Sequence, residues 1–361
     1  MRIVIAGGGT GGHLFPALAV AEVLRERGHE ILIFISEKEI DAQATKDRGE
    51  FRFEKLPSIG MPKLFSPAIF GFLKRFNESL APCRAIYREF KPDAVLGMGG
   101  FTSTSPILAG RFRKIPTFIH ESNAIPGKAN RLNGRLASMV LLGFSECAKY
   151  FPKSRCEVTG TPIRRSLATK ISREKALEAF GLQPDRKTLF VMGGSQGAQG
   201  INKAVTEALP QLKAAGLQII HLTGKHDEQA MLASYQRENF PAYVAAFHHR
   251  MEEAYSAADC AITRSGAASL AELAHFAIPS ILIPYPHAAE NHQALNAEIF
   301  DRAGAAVVLN ESETTGETLA QKVRWMIEDP SRLQQMSERL RQLAPQDAAR
   351  RVADVIENFK T

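Results

Sequence analysis

The 361-residue chain has four cysteines, Cys83, Cys147, Cys156 and Cys260, and no two stand at C-x-x-C spacing. A disulfide scaffold and a structural zinc site are therefore disfavoured, and a reducing compartment is expected. No run reaches about 18 apolar residues, so no segment reads as a membrane-spanning helix. Arg2 to Ala6 already reads as a strand, which leaves no room for a secretory leader. The ten histidines show no H-x-x-x-H or H-E-x-x-H spacing, and no Asp-x-Asp pair occurs. Metal-dependent hydrolysis is disfavoured, and neither a metal nor another cofactor is expected. Motifs such as an aromatic RNP pair are missing as well, so no nucleic-acid partner is expected.

What is present describes a soluble globular chain: 45% hydrophobic and 23% charged residues are ordinary values. At roughly 150 residues per domain the length predicts two domains, each able to bury a core without staples. The net charge of +7 is unevenly placed, at +8 for residues 1–160 and −1 for 161–361. A basic half fits nucleic acid, an anionic membrane surface or a phosphorylated substrate, and drifting surface charge is the plain alternative.

Short apolar runs alternate with patterns of helical period, the signature of an α/β fold with parallel sheets. Strands are predicted at 2–6, 30–35, 93–97, 116–119, 139–142 and 156–159. A second set follows at 188–192, 217–222, 243–247, 259–263, 280–284 and 305–309. Each half opens with a strand running into a glycine-rich turn, so two similar doubly wound domains are expected, 1–162 and 163–344. The tail, 345–361, reads as a terminal helix, and packing back on the first domain is one of its options.

The first turn is Gly7-Gly8-Gly9-Thr10-Gly11-Gly12-His13. Glycine lets main-chain amides approach an anion, and the helix that follows favours negative charge at its start. Residues 7, 9 and 12 satisfy G-x-G-x-x-G, with Glu37 placed as a ribose-binding acid, so a nicotinamide dehydrogenase is one reading. The second turn, Gly193-Gly194-Ser195-Gln196-Gly197-Ala198, lacks both that spacing and the Lys-Ser/Thr pair of a P-loop. A third, Gly97 to Phe101, follows another strand. Three such turns at strand ends favour a site that handles phosphates over three tight connections.

Residues Arg264 to Glu272 carry the most information. A strand ends at Arg264, Ser265-Gly266 opens a helix, and Glu272 lies about two turns into it. A carboxylate there accepts hydrogen bonds from both hydroxyls of a ribose; a solvated helix charge is the alternative.

Taken together these motifs resemble the bacterial lipid-linked N-acetylglucosaminyltransferases of the GT-B superfamily. The resemblance rests on Gly8 to His13 with Phe15-Pro16, Gly97 to Gly100, and His120-Glu121-Ser122-Asn123. It continues through Gly160 to Arg164, Gly193 to Ala198, and Arg264 to Glu272 followed by Gln293. It implies two Rossmann-like domains with parallel sheets facing each other across a cleft. It also implies UDP-N-acetylglucosamine as donor and a polyprenyl-diphosphate-linked muramoyl-pentapeptide, lipid I, as acceptor. By that resemblance Ser195, Arg164 and the helix start Ala267, Ala268, Ser269, Leu270 and Ala271 hold the diphosphate and ribose. Glu272 takes the ribose hydroxyls, main chain near His248 the uracil, and Gln293 the sugar; Thr10, Gly11, Gly12 and Asn123 reach the donor from the first domain. The sequence departs from the common pattern at His248, at Ala268-Ser269 and at Phe101-Thr102-Ser103. A UDP-N-acetylglucosamine 2-epimerase and a non-catalytic nucleotide-sugar-binding protein are the other readings.

Transfer from a nucleotide sugar needs a stabilised leaving diphosphate and a base near neutrality for the attacking hydroxyl. His13 is the expected base, with a loop-positioning histidine as its alternative, and Glu121 beside His120 is the second candidate. The resemblance implies inversion at the anomeric carbon. Residues 61–76 hold four phenylalanines, with Lys63, Lys74 and Arg75 at the edges. Apolar bulk rimmed by cations predicts contact with an anionic membrane through Leu64, Phe65, Ile69, Phe70, Phe72, Lys74 and Arg75. An ordinary buried helix is the alternative. The expected location is peripheral, on the cytoplasmic face of the bacterial plasma membrane.

Overall fold

The computed structural model describes residues 1–46, 48–57, 68–167, 169–194, 197–343, 345 and 347–360, with main chain alone at 40, 43, 68–70, 72 and 73. The chain divides into two units, Met1–Arg164 with Asp347–Thr361, and Arg165–Gln346.

In the first unit the strands are Arg2–Ala6 (β1), Glu30–Ser36 (β2), Arg52–Leu56 (β3), Ala94–Gly97 (β4), Thr117–Glu121 (β5), Met139–Leu142 (β6) and Cys156–Val158 (β7). The connecting helices are Gly11–Glu26 (α1), Glu39–Thr45 (α2), Ala68–Phe90 (α3), Thr104–Phe112 (α4) and Lys128–Asn133 (α5). All neighbours pair in parallel, in the order β3-β2-β1-β4-β5-β6-β7. Both faces of this sheet are covered, which is why β1 and β2 read as unbroken apolar runs. Ile3, Ile5, Ile31 and Ile33 join a core with α1, whereas Val4, Ala6, Leu32 and Phe34 face the opposite core with Tyr87 and Ile107. Strand β3 is absent from the sequence expectation. It lies at the sheet edge, where Arg52 pairs with Glu54 and Glu89, so its charges hide the strand pattern.

The second unit holds Arg173–Ala179 (α6), Thr188–Met192 (β8), Gln199–Ala214 (α7), Gln218–Leu222 (β9), Glu228–Arg237 (α8), Ala242–Ala245 (β10) and Met251–Ala257 (α9). It continues with Cys260–Thr263 (β11), Ala267–Phe276 (α10), Ser280–Leu282 (β12), His292–Arg302 (α11), Ala306–Val308 (β13), Gly316–Ile327 (α12) and Pro330–Leu343 (α13). Its sheet is again all parallel, in the order β10-β9-β8-β11-β12-β13.

The last helix, Ala348–Asn358 (α14), returns to the first unit, where Val352, Ala353 and Ile356 are buried against α1. Its polar side is tied as well: Arg27 contacts Asp354 at 2.7 Å, and His29 contacts Glu357 at 2.5 Å. Among the described residues no helix is long and apolar enough to cross a membrane.

Chain order reverses between β1 and β4 in one sheet and between β8 and β11 in the other. Doubly wound sheets bind ligands beyond the strand ends at such switch points. The glycine turn after β1 and that after β4 share the first of these points. The Gly193 turn and the Arg264–Glu272 stretch share the second.

Candidate active site

At the first switch point His13 stands in the opening turn of α1, one turn beyond Thr10, whose hydroxyl lies 3.2 Å from Nδ1. Its ring lies over the turn after β4. Gly99 has φ +100°, and a Cβ there would come within 2.9 Å of the imidazole, so only glycine admits this packing. Burial lowers the His13 pKa below the usual 6.5, and the charges of Glu121 and Asp41 partly oppose that shift. The ring is neutral at pH 7, the form that accepts a proton. The amides of Gly11 and Gly12 open α1 with no earlier turn of helix to bond to.

Glu121, the second base candidate, is committed to the scaffold. One carboxylate oxygen accepts from the Asn123 amide and side chain, both at 3.0 Å. The other accepts from Gly127 N at 3.1 Å and Asn130 Nδ2 at 3.0 Å. Four donors on this buried carboxylate tie it to the 121–130 loop near His13. His120 is likewise structural: its buried Nε2 donates to Gly160 O at 2.8 Å, leaving Nδ1 to accept from Ser122 Oγ at 3.3 Å. Arg164, which the resemblance groups with the second domain, belongs to the first unit, where its guanidinium lies 5.0 Å from the Phe15 ring centre. A Cβ on Gly11 would also meet that ring, so Arg164 is carried beside the start of α1.

The first glycine turn carries its own anion. Asp41, fully buried on α2, accepts from Gly9 N at 2.8 Å, Ser36 N at 2.9 Å and Ser36 Oγ at 2.6 Å. A pyrophosphate on the Gly9 amide would meet that carboxylate, which weighs on charge against the dinucleotide reading. Nothing about G-x-G-x-x-G spacing reveals this, because Asp41 reaches back from the helix after β2.

At the second switch point the Gly193 turn precedes α7. Gly197 has φ +78°, and a Cβ there would press within 2.4 Å of Thr223 O. Ser195 lies outside the described residues. Beyond β11, Arg264 forms a part-buried two-pronged pair with Glu311, at 2.8 and 3.0 Å, and donates to Ile283 O at 3.1 Å. It thereby joins the loops after β11, β12 and β13. Ser265 Oγ donates to Gln293 O at 2.8 Å, and Gln293 Oε1 accepts from Tyr285 N at 2.9 Å. The Gln293 side chain thus shapes the 284–292 loop with its oxygen. Gly266 caps α10, so the amides of Ala267, Ala268 and Ser269 face the loop side, and Leu270 and Glu272 turn inward. Glu272 is buried and accepts from Tyr255 Oη at 2.5 Å. His248 Nε2 lies 2.8 Å from Glu253 Oε2, and the ring packs on Phe180 at 4.9 Å. Asp41, Tyr255, Glu253 and Glu311 carry no sequence signal, since each acts on a segment distant along the chain or through a fold-specific turn.

Of the membrane-contact residues, Lys74 and Arg75 are exposed on α3. Leu64 and Phe65 lie outside the described residues, as do the side chains of Ile69, Phe70 and Phe72.

Residues 3–142 match the glycosyltransferase family 28 N-terminal domain and residues 188–354 the glycosyltransferase family 28 C-terminal domain. The chain is 41% identical to the UDP-N-acetylglucosamine–N-acetylmuramyl-(pentapeptide) pyrophosphoryl-undecaprenol N-acetylglucosamine transferase of Geobacter sulfurreducens, covering 98% of this chain and 97% of that protein. The enzyme of the same name from Halothermothrix orenii is 38% identical over 99% of both chains. A crystal structure of Acinetobacter baumannii MurG superposes with a TM-score of 0.78, at 28% identity and 99% coverage of each chain. With that similarity spanning both sheets and both switch points, the chain belongs to glycosyltransferase family 28, glycosyltransferases of the two-sheet GT-B fold.

Proposed function

We propose that this enzyme moves N-acetylglucosamine from UDP-N-acetylglucosamine to the 4-hydroxyl of a polyprenyl-diphosphate-linked muramoyl-pentapeptide, giving the lipid-linked disaccharide used for peptidoglycan. The observation that carries this reading is identity near 40% along the full length of transferases named for that reaction.

The chemistry follows from the two switch points. In the second unit, the starts of α7 and α10 direct main-chain amides and positive helix ends toward the donor diphosphate, easing its departure. Glu272 takes the ribose hydroxyls, main chain beside His248 takes the uracil, and Gln293, through its amide nitrogen, takes the sugar. In the first unit, neutral His13 removes the proton of the acceptor hydroxyl as it attacks the anomeric carbon, and the configuration inverts. Glu121 and Asp41 favour the imidazolium that forms. Thr10, Gly11, Gly12 and Asn123 frame that site, and Arg164 adds a cation beside it.

The acceptor lies in a membrane, and the enzyme meets it peripherally from the cytoplasmic side. The +8 charge of residues 1–160 and the exposed Lys74 and Arg75 on α3 support that reading. Incubation with labelled UDP-N-acetylglucosamine and a lipid I analogue tests it: UDP release is to depend on acceptor and to match labelled glycolipid formed. Release at the same rate without acceptor, or epimerised sugar as product, overturns it.

A further inference from the structure

We infer that Tyr255 is a positioning residue for Glu272, and that α9 thereby sets the selectivity of the nucleotide site for ribose over deoxyribose. This rests on the reading of Glu272 as the ribose ligand and goes beyond it.

Tyr255 is 1% exposed and Glu272 8%, and 2.5 Å separates the hydroxyl from the carboxylate. A phenol donating to an ionised carboxylate in a dry site makes a short, strong bond. The ring that carries the hydroxyl is held on two sides. It stacks on Phe276 at 5.1 Å and 24°, and meets Phe190 edge-on at 5.4 Å and 87°. The hydroxyl also lies 3.8 Å from Met192 Sδ, at the end of β8. The donor is therefore locked before any ligand arrives.

That lock matters because two ribose hydroxyls reward a carboxylate only when its plane is set. A glutamate has three side-chain torsions to fix. The structure provides the restraint from another element, 17 residues earlier in the chain.

The same helix carries a second such contact. Glu253 on α9 is 5% exposed and holds His248 Nε2 at 2.8 Å, while Arg250 Nη1 reaches its other oxygen at 2.7 Å. One face of α9 thus anchors the loop assigned to the base, and Tyr255 anchors the group assigned to the sugar. Base and ribose subsites share a rigid mount, which fixes the spacing a nucleoside must match.

The test compares dissociation constants for UDP and 2′-deoxy-UDP, measured by calorimetry on the full-length enzyme, in wild type, Tyr255→Phe and Glu272→Ala. The expected result is that wild type prefers UDP, and that Tyr255→Phe lowers the preference by about tenfold, the order of one charge-assisted hydrogen bond. Glu272→Ala abolishes the preference, and adding Tyr255→Phe to it changes the ratio no further. A role confined to stability shifts the thermal midpoint of Tyr255→Phe and leaves the UDP to 2′-deoxy-UDP ratio at the wild-type value, which overturns the inference. If Glu272→Ala itself keeps the wild-type ratio, the assignment of Glu272 to ribose fails instead. Phenylalanine keeps the ring contacts; should the variant not fold, Phe276→Leu, which removes only the stacking partner, is to lower the same ratio, and an unchanged ratio there overturns the inference equally.

Discussion

Acidification is to destabilise the second unit through one buried histidine. His221 on β9 is fully buried, and its pKa is lowered to about 3 by desolvation. Its tautomer is readable from its neighbours. Asn202 uses its amide nitrogen on Thr223 O at 2.9 Å and Asp227 Oδ2 at 2.7 Å, so its oxygen faces His221 Nε2 at 3.0 Å and accepts. Nδ1, 3.0 Å from Tyr235 Oη, is then the acceptor of the phenol proton. Protonation at Nδ1 would take away the acceptor of the phenol proton and place a charge inside the core. Between pH 6.5 and about 3 the unfolded chain takes up this proton and the folded chain refuses it. Stability is therefore complete above pH 6.5 and falls as pH drops, by about 1.4 kcal/mol per pH unit once well below that value. By pH 5 the loss is about 2 kcal/mol, a large fraction of the 5–15 kcal/mol typical of a folded domain. The chain's one tryptophan, Trp325 on α12, reports on this unit alone, because α12 shares its core with Tyr235. Urea unfolding followed by Trp325 fluorescence at pH 7, 6 and 5 supplies the measurement, in wild type and His221→Gln. Glutamine keeps a donor toward Asn202 and an acceptor toward Tyr235 but cannot titrate. The wild-type advantage over the variant is to shrink by about 2 kcal/mol from pH 7 to pH 5. An advantage constant within about 0.5 kcal/mol across that range refutes the buried neutral imidazole.

Replacing His13 with Ala is to reduce turnover by about 10²- to 10⁴-fold, the worth of a general base, while UDP-N-acetylglucosamine affinity stays within about twofold. Near-normal turnover would leave His13 with a structural role only. Glu121→Gln removes a charge that raises the His13 pKa, so the acid limb of kcat/KM is to move to lower pH; a limb that stays in place separates Glu121 from His13. Ile356→Ala empties a site 2% exposed between α14 and α1 and is to cost about 2–5 kcal/mol in the first unit, measured by hydrogen exchange of β1 and β2 amides, with Trp325 unfolding unmoved. Changing Lys74 and Arg75 to Glu is to weaken co-sedimentation with anionic vesicles and flatten its salt dependence, and unaltered sedimentation counts against α3 as the membrane face.

The particular elements that were legible before the structure share a cause. Strands such as Arg2–Ala6 and Thr188–Met192 are central, apolar on both faces, and followed by glycines, so local composition marks them. The edge strand Arg52–Leu56 carries charges that solvent tolerates and was not legible. The same divide runs through the site. The glycine turns after Arg2–Ala6, Ala94–Gly97 and Thr188–Met192 and the helix start after Arg264 were legible because turn geometry and helix starts demand particular residue types at short range. The tie between Tyr255 and Glu272 and the commitment of Glu121 were not, since a hydrogen bond's partner is decided by which elements pack together.

The amino-acid sequence by itself determined the class of fold, the two glycine-opened βα repeats, and the family through motifs spread from Gly7 to Gln293. It also determined the uneven charge, because composition does not depend on folding. Only the tertiary structure decided that Asp41 takes the Gly9 amide of the first glycine turn, that Glu121 is spent on a loop, that Arg164 stays with Phe15, and that α14 closes the first core. Apart from the local loop contacts of Glu121, those are contacts between segments far apart in the chain, and burial decides whether a charge there is a reagent, a brace or an obstacle.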